Sequence, residues 1–226
     1  MRQPQIDRLH MATLTAPPGH PASGSDIEVF AYLVRHGGTT ILVDTGMGAD
    51  NAFLDDLYRA NRIGLDAALA GAGASRADIG IVVNSHLHFD HCGNNRLFPG
   101  IPLYMQSRER KAARMPRYTV ESWIAPEGAL IHEVDGDCEI APGITLLFTP
   151  GHTPGHQSFA VETPSGPTIV GAQVAYTAAE FEAGGDPAEA HDGMADNYYA
   201  SIRRLKSLRP MRVFFSHDRN EWRSSA

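Results

Sequence analysis

The sequence predicts an α/β fold: two mixed β-sheets with helices on their outer faces, in a single domain over residues 1–226. Short apolar runs of strand length recur along the whole chain. Helical patterns fall between pairs of strands instead of alternating with single ones, which favours two sheets around one core. Four of the apolar runs lead directly into loops rich in polar side chains, as strand ends at one edge of a sheet do.

Taken in order, residues 28–34 and 39–43 flank His36-Gly37-Gly38 and read as a hairpin. Residues 50–60 and 65–72 carry helical patterns, with Gly71 and Gly73 supplying a stop. Strands follow at 79–83 and 101–105, then a short helix at 107–114. An irregular span containing Pro116, Trp123 and Pro126 runs to about Gly136. Residues 144–148, 157–161 and 168–170 are short strands. Asp196 is placed to cap a helix reaching Leu208, with Tyr198, Ile202 and Leu205 on one face. Pro210 ends that helix, and 211–215 is a last buried strand.

Composition narrows the function. The 226 residues suffice for one large core, and 42% are hydrophobic. No stretch approaches the roughly 18 apolar residues of a membrane span, and the first residues lack a signal-peptide segment, so a cytoplasmic protein is expected. A net charge of −7 without a long basic run argues against nucleic acid. The basic stretch 108–114 reads as a solvated helix face. Cys92 and Cys138 are too few for a disulfide framework. The expected partner is a small-molecule substrate, with no nucleic acid and no membrane; a homodimer is allowed.

The run His86-Leu87-His88-Phe89-Asp90-His91 carries the chemistry. Imidazoles and carboxylates rarely enter a core unpaired, and together they are ligands of zinc and related ions. His86 and His88 lie two apart and point the same way in an extended segment, whereas Asp90 and His91 are adjacent and diverge. One short loop can therefore feed two ions. His152 in Gly151-His152-Thr153-Pro154-Gly155-His156 completes a set with His86 and His88, and His217 joins Asp90 and His91. Three protein ligands with a free position is the pattern of a catalytic centre, not a structural one. Asp44 is expected to orient a ligating histidine. His156 reads as a loop residue satisfying backbone groups, and His191, among acids, as a surface residue.

The patterns HLHFDH and GHTPGH, a late histidine after an apolar strand, and Asp44-Thr45-Gly46 after an apolar run resemble the metallo-β-lactamase superfamily over about residues 28–217. The resemblance implies an αββα sandwich. Phe89, Gly155-His156-Gln157-Ser158 and Ser201-Ile202-Arg203-Arg204-Leu205-Lys206 resemble the N-acyl homoserine lactone lactonases, quorum-quenching enzymes. That likeness implies a catalytic hydroxyl at Tyr176, which falls three positions beyond the third-loop ligand position. It also singles out a departure. The family's bridging aspartate is here Gln173, and residues 163–179 contain no Asp or Glu. A neutral amide is a weaker donor to a dication. One tightly held ion, two ions with Gln173 as a neutral ligand, or impaired chemistry each follow from that change.

These readings converge on a metal-dependent hydrolase that opens a cyclic ester, with one or two Zn²⁺ ions or iron, manganese or cobalt in their place. The ligand set is His86, His88, Asp90, His91, His152, Gln173 and His217, with Asp90 and Tyr176 catalytic. Phe89, Tyr118 and Trp123 are expected to wall the substrate pocket. Two alternatives stand beside it: a same-fold hydrolase of a cyclic amide or thioester, and a non-catalytic metal- or ligand-binding relative without the bridging carboxylate.

Overall fold

A computed structural model describes residues 4–20, 22–49 and 51–224. Among them the strands are β1 (Gln5–Thr15), β2 (Asp26–His36), β3 (Thr39–Val43), β4 (Asn61–Arg62), β5 (Ile81–Val83), β6 (Pro102–Gln106), β7 (Leu130–Val134), β8 (Cys138–Ala141), β9 (Ile144–Phe148), β10 (Gln157–Val161), β11 (Thr168–Ala172), β12 (Arg212–Phe215) and β13 (Trp222–Arg223). The helices are α1 (Ala52–Tyr58), α2 (Leu65–Gly71), α3 (Phe89–Cys92), α4 (Ser107–Ala112), α5 (Glu121–Ile124), α6 (Ala178–Ala183) and α7 (Ala195–Ser207). One sheet runs β4-β1-β2-β3-β5-β6-β7 and the other β13-β12-β11-β10-β9-β8. Both are mixed: β3, β5, β6 and β7 are parallel neighbours in the first, as are β11 and β12 in the second.

Side-chain alternation sets the layers. Phe30, Tyr32 and Val34 of β2 point inward with Ile41, Val43 and Val83, and meet Ile144, Leu146, Phe159, Val161, Val170 and Phe214 of the second sheet. The intervening Val29, Ala31 and Leu33 face outward, under Leu69 of α2 and Trp123 and Ile124 of α5. On the far side Ala160, Ile169, Val213 and Phe215 pack under Phe181 of α6 and Tyr198, Ile202 and Leu205 of α7. Each fully buried large side chain contributes about 1.5–3 kcal/mol. The result is the αββα layering expected from the sequence.

Some elements differ from the sequence expectation. β1 was not anticipated, although Leu9, Met11 and Leu14 are buried along it; a bulge between His10 and Ala12 breaks its alternation. β7 and α5 lie inside the span read as irregular. β7 closes the edge of its sheet with a half-exposed Leu130, so its apolar signal is weak. The helix expected over 50–60 starts at Ala52 with Asn51 as its cap, accepting from Leu54 N–H; Asp50 lies outside the described residues. Asp196 does not cap α7: Met194 holds that position, and Asp196 sits in the first turn, where its charge still complements the helix dipole. Among the described residues no helix is long and apolar enough to cross a membrane.

The two sheets are tied where the functional loops leave them. Tyr32 donates its buried hydroxyl to Phe215 O at 2.6 Å. Phe30 N–H reaches Ser216 O, and Gln157 N–H reaches Ser85 O, both at 2.8 Å. These bonds fix the end of β12 against β2 and the loop after β5 against β10.

Candidate metal centre

Each candidate side chain leaves a strand end on one edge of the sandwich. His86 follows β5 through Asn84 and Ser85; His88 precedes α3, whose single turn presents Asp90 and His91. His152 lies beyond β9, Gln173 directly after β11 and His217 just beyond β12. Two non-glycine residues here adopt left-handed backbone conformations, Asp44 (φ 63°) after β3 and Ala172 (φ 52°) at a register break between β11 and β12. Such a conformation costs roughly 1–3 kcal/mol and persists where its surroundings hold it. Asp44 is held by its N–H bond to Val83 O (2.8 Å), by Ser85 N–H to Oδ1 (2.7 Å) and by Ser85 Oγ–H to Oδ2 (2.7 Å).

Two clusters result, His86–His88–His152 and Asp90–His91–His217, each with its ligand atoms within 4.8 Å of one another. In the first, His86 Nε2 and His152 Nε2 each lie 3.1 Å from His88 Nδ1. In the second, Asp90 Oδ2 lies 3.5 Å from His91 Nε2 and 3.8 Å from His217 Nε2. Gln173 Oε1 is 3.1 Å from His217 Nε2.

Hydrogen bonds on the outer sides of the rings decide what the inner nitrogens carry. Ser85 Oγ gives its proton to Asp44, so it accepts from His86 Nδ1–H at 3.0 Å. His91 Nδ1–H donates to Asp44 Oδ2 (2.9 Å), His152 Nδ1–H to Glu189 O (3.2 Å) and His217 Nδ1–H to Glu28 O (2.7 Å). All four Nε2 atoms therefore turn lone pairs inward. A neutral His88 has one proton to offer, which cannot satisfy both lone pairs aimed at its Nδ1. His91 Nε2 is buried with no hydrogen-bond partner, and His217 Nε2 faces the oxygens of Gln173 and Asp90. Facing lone pairs are repulsive without a cation between them, and imidazole with carboxylate is a divalent-metal donor set. The residues fit a metal centre.

Protonation follows the same logic. Burial holds His88 and His217 at a pKa of about 4 despite Asp90, and burial with neighbouring imidazoles pushes His86 and His152 well below the usual range. Burial would also lower His91, but Asp90 and Asp44 outweigh it and raise that ring. Burial alone would raise Asp90; His91, His217 and His88 more than offset it and keep the carboxyl below its ordinary value. His156 differs from the others: Nδ1 faces Thr149 O (3.0 Å) and Nε2 accepts from Gln173 N–H (3.1 Å), so both nitrogens are satisfied within the protein. It is the loop-ordering residue the sequence suggested, and it sets the Gln173 backbone.

The centre floors an open cleft of about 980 Å³ lined by Phe89, Tyr118 and Tyr176. Tyr176 stacks on His217 with ring centroids 4.7 Å apart, and burial keeps its phenol protonated. Trp123, expected on this wall, is not part of it. The turn of α5 directs its indole into the core beneath the first sheet, where it is 5% exposed. The cleft also takes in titratable residues that the sequence reading did not place there, among them His20, Glu189 and His191. His191 N–H bonds to Gly151 O, which draws it from the surface position expected onto the wall. Burial, with Glu180 and Asp186 nearby, pushes Glu189 up to about 7. Cys92 is buried, its Sγ 3.5 Å from Leu87 O, with burial raising the thiol to about 12; it is core filler.

The sequence profile of the Metallo-beta-lactamase superfamily matches residues 25–217. This chain belongs to that superfamily. It is 34% identical over 216 residues to an N-acyl homoserine lactonase of Bacillus sp, covering 88% of this chain and 84% of that protein. It is 31% identical over 232 residues to the N-acyl homoserine lactonase AiiB of Agrobacterium fabrum, covering 88% and 82%. A solved N-acyl homoserine lactone hydrolase, with N-hexanoyl-L-homoserine bound at its catalytic metal centre, superposes with a TM-score of 0.76 at 28% identity, over 96% of this chain and 94% of that one.

The buried neutral rings make the metal-free protein sensitive to acid. Unfolded histidines protonate near 6.5, whereas His88 and His217 stay neutral in the fold until about 4. Between those values the unfolded chain binds more protons, so stability falls as pH drops from about 6.5 to about 4. His91, raised in the fold, acts in the opposite sense. Urea unfolding of metal-free protein across this range is expected to show a net loss of stability as pH falls; a flat profile would contradict the neutral assignment.

Proposed function

We propose that this protein is a hydrolase of N-acyl homoserine lactones that depends on divalent metal. The observation that carries the reading is the set of inward imidazole lone pairs beside Asp90 on the cleft floor. A kinship of 34% with a lactonase, over most of both chains, supports the substrate class. His86, His88 and His152 would hold one ion and Asp90, His91 and His217 a second, with Gln173 beside it. Zinc is the metal we assign, since imidazole and carboxylate are its ligands in catalytic sites. When bound, such ions supply Lewis acidity and bring the pKa of a coordinated water toward about 7.

The chain's own residues supply the rest. The lactone ring lies over the cleft floor, and the apolar faces of Phe89 and Tyr118 take the acyl chain. Tyr176 donates its phenolic proton in a hydrogen bond to the lactone carbonyl oxygen as negative charge develops there. Its stacking on His217 holds that hydroxyl in place. Asp90, whose Oδ2 lies beside His91 and His217, takes a proton from the attacking water and delivers it to the departing ring oxygen. Water adds across the ester C–O bond, and the product is a hydroxy acid. Gln173 brings no negative charge to the second cluster, which leaves Asp90 as its one carboxylate among the described ligands.

A panel of N-acyl homoserine lactones, a lactam and a thioester tests the reading. Lactone turnover lost on chelation and restored by Zn²⁺ is expected; no lactone turnover by protein with bound metal would overturn it. Tyr176→Phe is expected to lower kcat by about 10²–10³-fold with metal content unchanged, and wild-type kcat would make that ring structural. Gln173→Asp is expected to raise the occupancy of the second ion after dialysis, read by metal analysis. An unchanged ratio of metal to chain would remove the charge argument.

A further inference from the structure

Glu109 is the buried acid that this chemistry leaves unused. It lies on α4 with 1% of its surface exposed, yet it has neither a cationic partner nor a hydrogen bond to an imidazole among the described residues. Its carboxylate instead gathers four donors. Oε1 accepts from Leu87 N–H (2.8 Å) and from the Tyr118 hydroxyl. Oε2 accepts from Thr153 Oγ–H (2.7 Å) and Gly155 N–H (3.1 Å). Leu87 stands between His86 and His88 on the loop after β5, while Thr153 follows His152 on the loop after β9. Those loops belong to different sheets.

We propose that Glu109 is a positioning residue for the three-histidine set, a clamp that holds the loop of His86 and His88 against the loop of His152. The proposal rests on the reading that this set binds a metal ion. The meeting of the three nitrogens, with two distances of 3.1 Å to His88 Nδ1, spans the seam between the sheets. A charged acceptor shared by both loops fixes that span more firmly than neutral bonds would. Gly155 gives independent support: a Cβ there would lie 2.1 Å from Glu109 N and 2.4 Å from its Cα. The second loop is thus built to press directly on α4, and only glycine allows it. The bond from Tyr118 extends the clamp to the substrate wall, since the Tyr118 ring sits 4.9 Å from that of His88. The other cluster takes its outer bonds from Asp44 and Glu28 O, not from Glu109.

The test measures Zn²⁺ affinity by competition with a chromophoric chelator in a His217→Ala background, where the three-histidine set is the intact one. Glu109→Gln keeps the shape but turns an NH₂ donor toward donors. Thr153→Val keeps the charge and removes one tie. Both are expected to weaken Zn²⁺ binding, Glu109→Gln by about 10–100-fold as for other groups that orient ligands, Thr153→Val by less, with near-UV circular dichroism unchanged. Affinity within twofold of the parent in both variants overturns the clamp. Loss in Glu109→Gln alone also overturns it, because the carboxylate then acts through its charge. Should Glu109→Gln fail to fold, Thr153→Val decides by itself. A His217→Ala parent that binds no Zn²⁺ sinks the metal reading and the clamp together, whereas a binding parent with unaffected variants sinks the clamp only.

Discussion

The centre depends on where four imidazoles place their outer protons. Asp44, Ser85 and the carbonyls of Glu28 and Glu189 take those protons and leave inward lone pairs with nothing to accept from. A protein that buries such a set without a cation would carry the full penalty of unsatisfied polar groups. The arrangement is therefore intelligible as half of a coordination shell. Its rigidity comes from acceptors that belong to the scaffold: a strand-end aspartate in a left-handed conformation and two backbone oxygens.

The division of labour between side chain and backbone explains what could be read from the sequence. HLHFDH, His152 and His217 are legible because their chemistry lies in the side chains and their loops follow strongly apolar strands. The carbonyls that orient His152 and His217 carry no residue-specific signal, so the roles of Glu28 and Glu189 could not be seen. Trp123 was misplaced because an aromatic in an irregular span suits a pocket wall and a core equally well; the single turn of α5 makes the choice. His191 looks like a surface residue among acids, and one backbone bond to Gly151 places it on the cleft. The layering followed from the order of apolar runs, with helical patterns falling between pairs of them, whereas the short edge strands lacked enough buried apolar surface to announce themselves.

Gln173 shows the same contrast at one position. Its place after β11 followed from the strand pattern, and the bulge at Ala172 with the bond from its own N–H to His156 directs it to the centre. An amide differs from a carboxylate there by one charge, with nearly the same shape. The scaffold around it is therefore compatible with either residue, and the difference falls on the electrostatics of the Asp90–His91–His217 cluster.

Finally, the seam itself has a consequence. His86, His88, Asp90 and His91 hang from one sheet; His152, Gln173 and His217 hang from the other. An ion held by both groups is a rivet through the sandwich, so its binding energy and the cohesion of the two layers are one quantity. Whatever pries the layers apart must also evict the ion.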